Sequence, residues 1–198
     1  FRSGLARLDG IVIDGKSGVS GAGAQGRKID PMYLYTEANE NVQAYAIAGH
    51  RHTAEMEQEL SALAGAPLRV SFTPHLLPLN RGLFTTASVP LASAASTARL
   101  LDVYREFYAG EPFVRVLDEG ERPATRAVVG SNYCDVTVVA DTRTGRAVCV
   151  SAIDNLGKGG SANGVQNLNI MMGWTERTGL EAPPVYPGRG RPASTSGS

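Results

Sequence analysis

The residue types best suited to proton transfer are concentrated in one short stretch of this chain, Gly-His-Arg-His-Thr-Ala-Glu at residues 49–55. The stretch holds two of the 3 histidines, and His52 and Glu55 are three residues apart. A helix that begins near Thr53 would place this imidazole and this carboxylate side by side in its first turn. A carboxylate that binds one ring nitrogen fixes the tautomer and leaves the other nitrogen to exchange a proton near neutral pH. The spacing therefore predicts an acid/base pair of His52 and Glu55.

Two alternative interpretations apply to the same histidines. His50 and His52 could ligate a metal ion together with His75 or Cys134, but no recognised ligand spacing is present. We therefore expect no metal site. The other alternative is that both imidazoles only make hydrogen bonds within a loop.

A nucleophile that would complement such a base is harder to find. A catalytic thiol is expected at an exposed turn or helix start that lowers its pKa. Cys149 instead alternates with valines, and Cys134 follows Tyr133 in another strand-like segment. Both cysteines are predicted to be buried, reduced thiols of a cytoplasmic protein.

Two glycine-containing segments could bind an anion or the polar edge of a cofactor. Residues 16–23 offer hydroxyls and bare amides, although such loops are commonly only flexible connections, and the order of a dinucleotide fingerprint is missing. Residues 154–160 follow a predicted strand and precede a predicted helix, where Lys158 and a helix N-terminus could meet a phosphate. A simple polar turn explains this second segment equally well.

The apolar periodicity predicts the elements that must position these segments. Three helices are predicted: one after the His-Arg-His motif that ends at Gly65, one over residues 96–109, and one after Gly160. Strands are predicted at 10–14, from Val70 to Phe72, and at 83–89, 113–117, 133–139 and 147–153, with short bent strands within 33–48. This order predicts an α+β fold with a mainly antiparallel sheet.

Composition narrows the function classes. The net charge is +0 from 19 basic and 19 acidic residues, so nothing points to nucleic acid or to an anionic membrane.

We expect one domain over residues 1–182 and a disordered tail over 183–198, where Pro, Gly, Arg and Ser dominate. Because Phe1 is not a natural initiator and the chain opens in mid-pattern, we also expect that an upstream part has been removed or lost.

Short motifs along the chain resemble the N-acetyl-gamma-glutamyl-phosphate reductase family, arginine-biosynthesis enzymes of the aspartate-semialdehyde-dehydrogenase type. No single motif would suffice, but they occur in the family's order. The matching segments are 14–23, 39–41, 49–53, 72–76, 80–82, 111–115, 130–132, 154–156 and 166–167.

The resemblance implies that this chain is the catalytic and dimerisation portion of such an enzyme, with a glyceraldehyde-3-phosphate-dehydrogenase-like C-terminal fold, helices on one face of the sheet, and a homo-oligomeric assembly. The family's amino-terminal half would supply the NADP-binding Rossmann domain and the catalytic cysteine. The helix near 160–173 would pack against that half. The isolated chain is accordingly expected to be inactive.

The resemblance also implies residue roles in the reduction of a small acyl phosphate through a cysteine thioester. His52 would be the acid/base and Glu55 would orient it. Substrate binding would fall to Ser17, Gly18, Ser20 and His50, and cofactor binding to Asn155, Lys158 and Gly159. Ala54 departs from the family, which usually has proline there.

Three other functions remain open from the sequence. One is the similar reductase that acts on carrier-protein-linked aminoadipyl phosphate in lysine biosynthesis, although the Asn-Glu-Asn cluster at 39–41 favours the arginine enzyme. Another is a non-catalytic dimerisation module. The third is a histidine-dependent metal hydrolase.

Overall fold

The computed structural model describes residues 1–23 and 30–185. Seven strands of this part of the chain form one sheet. They are β1 (Ile11–Gly18), β2 (Gln43–Ala44), β3 (Val70–Leu77), β4 (Leu83–Pro90), β5 (Val114–Val116), β6 (Cys134–Asp141) and β7 (Arg146–Ile153). Their order across the sheet is β2-β3-β1-β4-β7-β6-β5. The β1–β3 and β5–β6 pairs are parallel and the others antiparallel, so the predicted α+β class with a mainly antiparallel sheet is confirmed.

Three helices form where the apolar spacing predicts them, and a further one-turn helix lies within residues 33–48, where short strands are predicted. They are the one-turn α1 (Tyr35–Ala38), α2 (His52–Ala64), α3 (Thr97–Phe107) and α4 (Ala162–Met171). Helix α2 ends at Gly65, whose φ of 69° is the left-handed conformation that glycine adopts without strain. Helix α3 begins after Ser96, whose hydroxyl accepts a hydrogen bond from the Arg99 N–H.

Buried and exposed side chains alternate along the strands, so the core lies on one face of the sheet. Ile11 and Ile13 of β1 are buried against α2, which contributes Met56 and Leu60. A second cluster joins two leucines of α3 to the strands β6 and β7. Cys149 packs against both clusters, so α2 and α3 cover the same face. On the opposite face Val12 and Val139 remain 42% and 48% exposed.

Three strand predictions were wrong in extent. Strand β1 continues to Gly18, because Lys16 and Ser17 pair with both β3 and β4, so residues 16–18 of the expected loop are strand. Strand β3 runs on to Leu77. Residues 33–48 contain only the two-residue strand β2, since their polar Asn-Glu-Asn cluster interrupts pairing and α1 precedes it.

The predicted division between domain and tail stays a prediction, because residues 186–198 lie outside the described part of the chain. At the end of that part, the Val185 N–H donates to the Val129 carbonyl at 2.9 Å. None of the helices in the described ranges is long and apolar enough to cross a membrane.

Candidate functional site

The end of strand β1 carries the first three predicted substrate-binding residues. The Ser17 hydroxyl donates to the Gly18 carbonyl at 3.1 Å. The Gly18 N–H donates to the Gly82 carbonyl at 2.8 Å, and a side-chain Cβ at Gly18 would lie only 2.9 Å from the carbonyl oxygens of Leu79 and Asn80. Gly18 therefore allows this strand end to approach the 79–82 turn closely, and its own N–H is already used.

Ser20 and Asn155 are in direct contact, although sequence analysis places one in a substrate set and the other in a cofactor set. The Asn155 Nδ2 donates to Ser20 Oγ at 2.9 Å, and Ser20 Oγ donates to the Asn80 carbonyl at 2.6 Å. The Asn155 Oδ1 accepts from the Gly82 N–H at 2.6 Å. One member of each predicted set thus meets the other at the ends of β1 and β7. Together with Ser17, whose Oγ lies beside the Asn155 amide at Gly21, they form what we call the serine–asparagine cluster (Ser17, Ser20, Asn155).

Asp154 holds the loop that carries Asn155, a function that sequence analysis missed. Its side chain is 0% exposed and accepts hydrogen bonds from the backbone N–H groups of Gly130, Leu156 and Gly157. It also pairs with Arg81 at 2.7 Å. Burial acts to raise the pKa of Asp154, but these N–H donors and Arg81 outweigh it, and the net pKa is lowered. The sequence signal that could have revealed this role is a carboxylate placed directly after a strand and before a polar turn.

Lys158 and Gly159 lie in a π-helical turn, Gly157–Ser161, that leads into α4. The Lys158 ammonium donates to Gln166 Oε1 at 2.6 Å, and Asn132 Nδ2 donates to the same oxygen at 2.9 Å. The Gly159 N–H donates to the Asp154 carbonyl at 2.9 Å, while the residue itself is exposed. Gln166 is therefore the link between this turn and the buried Asn132.

The histidines lie at the start of α2, which begins at His52 itself. His52 and Glu55 are both exposed, and no hydrogen bond joins them among the described residues. The His52 ring instead packs edge-on against His50, with 4.8 Å between ring centroids. Burial lowers the pKa of His50, and the charges of His52 and Arg51 add to this effect. The roles predicted for His52, Glu55 and His50 stay predictions.

The histidines and the serine–asparagine cluster border the same stretch of β1. The His50 ring packs edge-on against Phe72 of β3 at 5.4 Å between centroids. A Cβ on Gly15 would lie 3.1 Å from this Phe72 ring. Gly15 and Ser17 are two residues apart on one strand, so they share a face. The two groups of polar side chains therefore lie side by side on the helix-covered face.

Neither cysteine has the surroundings of a nucleophile. Burial raises the pKa of Cys134 to about 11, and burial also raises the pKa of Cys149. Both are unpaired thiols in strands, as predicted. The part of the chain that the structure describes contains no group of three or more His, Cys, Asp or Glu side chains that could hold a metal ion.

This sheet and its helices define a dehydrogenase-type fold. Aspartate semialdehyde dehydrogenase II from Vibrio cholerae, solved in complex with ASA, superposes with a TM-score of 0.63 over 82% of this chain and 54% of that one, at 17% sequence identity. The family model for the semialdehyde dehydrogenase dimerisation domain matches residues 1–155. The chain belongs to this family.

Curated relatives carry a more specific name. N-acetyl-gamma-glutamyl-phosphate reductase from Symbiobacterium thermophilum is 52% identical over 94% of this chain, and the same-named protein from Geobacter sulfurreducens is 55% identical over 92%. The resemblance inferred from the sequence motifs is confirmed. The chain spans about half the length of these relatives, 53% and 52% respectively.

Proposed function

We propose that this chain supplies the acid/base and substrate-binding side of an NADPH-dependent reductase that converts N-acetyl-gamma-glutamyl phosphate to the semialdehyde. The observation that carries the proposal is the 52% identity to a relative of that name across 94% of the chain. The adjacent imidazoles and the serine–asparagine cluster fit a reaction that moves protons beside a polar, anionic substrate.

The reaction assigns a task to each group of side chains. A cysteine thiolate, expected in the half of the relatives outside this match, attacks the acyl phosphate, and phosphate leaves as the thioester forms. His52 takes the proton of that thiol and later handles the hemiacetal proton. Glu55, which makes no hydrogen bond to His52 in this structure, would orient the ring by turning toward it. Ser17, Ser20 and His50 face the substrate, while Gly18 permits the close packing that sets their positions.

The cofactor of this proposal is NADP, held in part by Asn155, Lys158 and Gly159. Asn155 and Gly159 fit such a group, because Asn155 is fixed at both ends of its carboxamide and Leu156 and Gly159 are exposed beside it. The Lys158 ammonium donates to Gln166 and holds the turn. When bound, the reduced cofactor supplies the hydride that converts the thioester to the thiohemiacetal. This chain would contribute two things to cofactor binding, the rigidly held Asn155 carboxamide and the exposed turn at Gly159.

The experiment that tests the proposal is a chimera. Residues 1–198 replace the matching half of the Symbiobacterium thermophilum reductase, and NADPH oxidation is followed with the acetylglutamyl and the aminoadipyl acyl phosphates. We expect turnover of the acetylglutamyl substrate, and none from residues 1–198 alone. A properly folded chimera without activity toward it, or activity of the isolated chain, would contradict the proposal.

Two variants of the chimera test the assignment of the base. His52→Asn is expected to lower the rate of the chemical step ~10²–10⁴-fold, the usual range for a lost acid/base group. Glu59→Gln on the exposed side of the same helix is the matched control and should leave the rate unchanged. An unaffected rate in His52→Asn would remove this residue from the mechanism.

Assembly as a homo-oligomer in the cytoplasm belongs to the same proposal. Its support is the dimerisation-domain family together with the exposed sheet face at Val12 and Val139. An oligomer contact on this face would leave the helix-covered site of each copy intact.

A further inference from the structure

His50 is enclosed by rings on three sides. Its centroid lies 5.6 Å from that of Tyr45, 5.4 Å from that of Phe72 and 4.8 Å from that of His52. All three neighbours meet it edge-on, at interplanar angles between 70° and 80°. Ring contacts in this geometry are favourable and restrict rotation of the enclosed ring.

One hydrogen bond identifies the nitrogen of His50 that carries no proton. The backbone N–H of His52 donates to His50 Nδ1 at 3.2 Å. An imidazole nitrogen that accepts a hydrogen bond is unprotonated, so the proton of the neutral ring lies on Nε2. His50 therefore offers one donor, Nε2–H, to its surroundings.

Tyr45 is itself held in place by the backbone around it. Its N–H donates to the Pro74 carbonyl at 3.1 Å, directly after Ala44 pairs with β3. Between Tyr45 and His50 the chain reverses through Ala46 and Ala48, whose positive φ angles of 44° and 55° are uncommon for alanine. A strained reversal of this kind persists only where its surroundings determine it. Here it returns the chain so that His50 lies against the Tyr45 ring.

We propose that Tyr45 is a positioning residue that, together with Phe72 and the His52 N–H, locks His50 as the neutral Nε2–H tautomer, so that His50 donates a hydrogen bond to a substrate oxygen. The two imidazoles thereby differ: His50 is a fixed donor, whereas His52 is exposed at the start of α2. The identity of the accepting oxygen rests on the proposed reductase function, but the tautomer does not.

The tautomer is measurable in the 198-residue chain without any substrate. Long-range ¹H–¹⁵N correlation spectra distinguish protonated from unprotonated ring nitrogens. We expect His50 near neutral pH to show a single Nε2–H tautomer in the unmodified chain and in Tyr45→Phe, which keeps the ring. In Tyr45→Leu we expect the two nitrogens to average toward a mixture.

The control for this measurement is Tyr35→Leu, at a tyrosine that is 80% exposed in the same part of the chain. It should leave the His50 signals unchanged. Far-UV circular dichroism shows whether each variant folds, and if Tyr45→Leu does not fold, Tyr45→Val is measured instead. Two results would overturn the proposal. One is an Nδ1–H tautomer of His50 in the unmodified chain, and the other is a folded Tyr45→Leu or Tyr45→Val variant whose His50 nitrogen signals are unchanged.

The chimera separates failure of this inference from failure of the reductase proposal. Tyr45→Leu is expected to lower kcat/KM about tenfold, the effect of one misplaced hydrogen bond, with Tyr45→Phe close to the parent value. If the parent chimera has no activity, the reductase function fails while the tautomer result stands. If the parent is active and Tyr45→Leu keeps full activity, the tautomer lock plays no part in the reaction.

Discussion

Asp154 concentrates more stabilising interactions on one side chain than any other site residue described above. Asp154→Asn removes the charge that accepts three backbone N–H bonds and pairs with Arg81. We expect a loss of about 1.5–3 kcal/mol in the free energy of unfolding, the usual contribution of a hydrogen bond to a charged group. Denaturant unfolding at neutral pH measures it, with Asp9→Asn, in an exposed ion pair with Arg7, as the control that should cost little.

The lowered pKa of Asp154 gives this stabilisation a pH dependence. Because the folded pKa lies below the ordinary value of 3.8, the carboxylate stabilises the fold above that pH. The contribution is lost as the pH falls through the lower folded value. The difference in unfolding free energy between the parent and Asp154→Asn should therefore shrink in acid, and a pH-independent difference would rule out the charge as its source.

The candidate site was predictable as a set of residues but not as an arrangement. His50, His52, Ser20 and Asn155 stand out by residue type and motif, and each lies at or just beyond the end of a strand or helix. The contact between Ser20 and Asn155 depends on which strands are neighbours, and they are 135 residues apart in the chain. The apparent pair His52–Glu55 failed to form a hydrogen bond because spacing on a helix permits a contact without requiring it.

At the scale of elements, α3 is the helix with the most deeply buried leucines. Leu101 is 1% exposed and packs against β6 and β7 through Val138 and Ala147. Leu101→Ala should cost about 2–5 kcal/mol of unfolding free energy, through lost burial and the cavity left behind. Leu168→Ala on α4, where the side chain is 47% exposed, is the matched control, expected within about 0.5 kcal/mol of the parent. Equal losses would show that α3 does not anchor the core.

Elements with strong local signals matched their predictions, and elements that depend on distant partners did not. The β6–β7 hairpin and the capped helix α3 are specified by turn residues, a serine cap and apolar spacing. The segment 33–48 has aromatic residues that favour strands, yet it pairs only at Gln43 and Ala44. Such a segment becomes a strand only where an unpaired edge strand of the folded sheet lies beside it and can hydrogen-bond to it.

For the whole molecule, the exposed sheet face predicts where copies associate. Light scattering should give the mass of a dimer or a higher oligomer. Val12→Glu places a charge on this face and should lower that mass, whereas Leu63→Glu, 41% exposed on α2 and therefore on the helix-covered side, should not. A monomeric parent chain, or an oligomer unaffected by Val12→Glu, would exclude association through this face.

The order of strands in the sheet also has a consequence for how the chain folds. Asp141 pairs with Arg146 across a short turn, whereas Ile11 must find Val70 before β1 has its parallel neighbour. Closing a long loop costs entropy that local pairing does not, so the hairpin is expected to form early and β1 to join late. Ser17 and Ser20 would arrive with β1, so the serine–asparagine cluster is expected to be complete only after that step. A partly folded form that lacks β1 would hold Asn155 against the Gly82 N–H and still be without its serine partner.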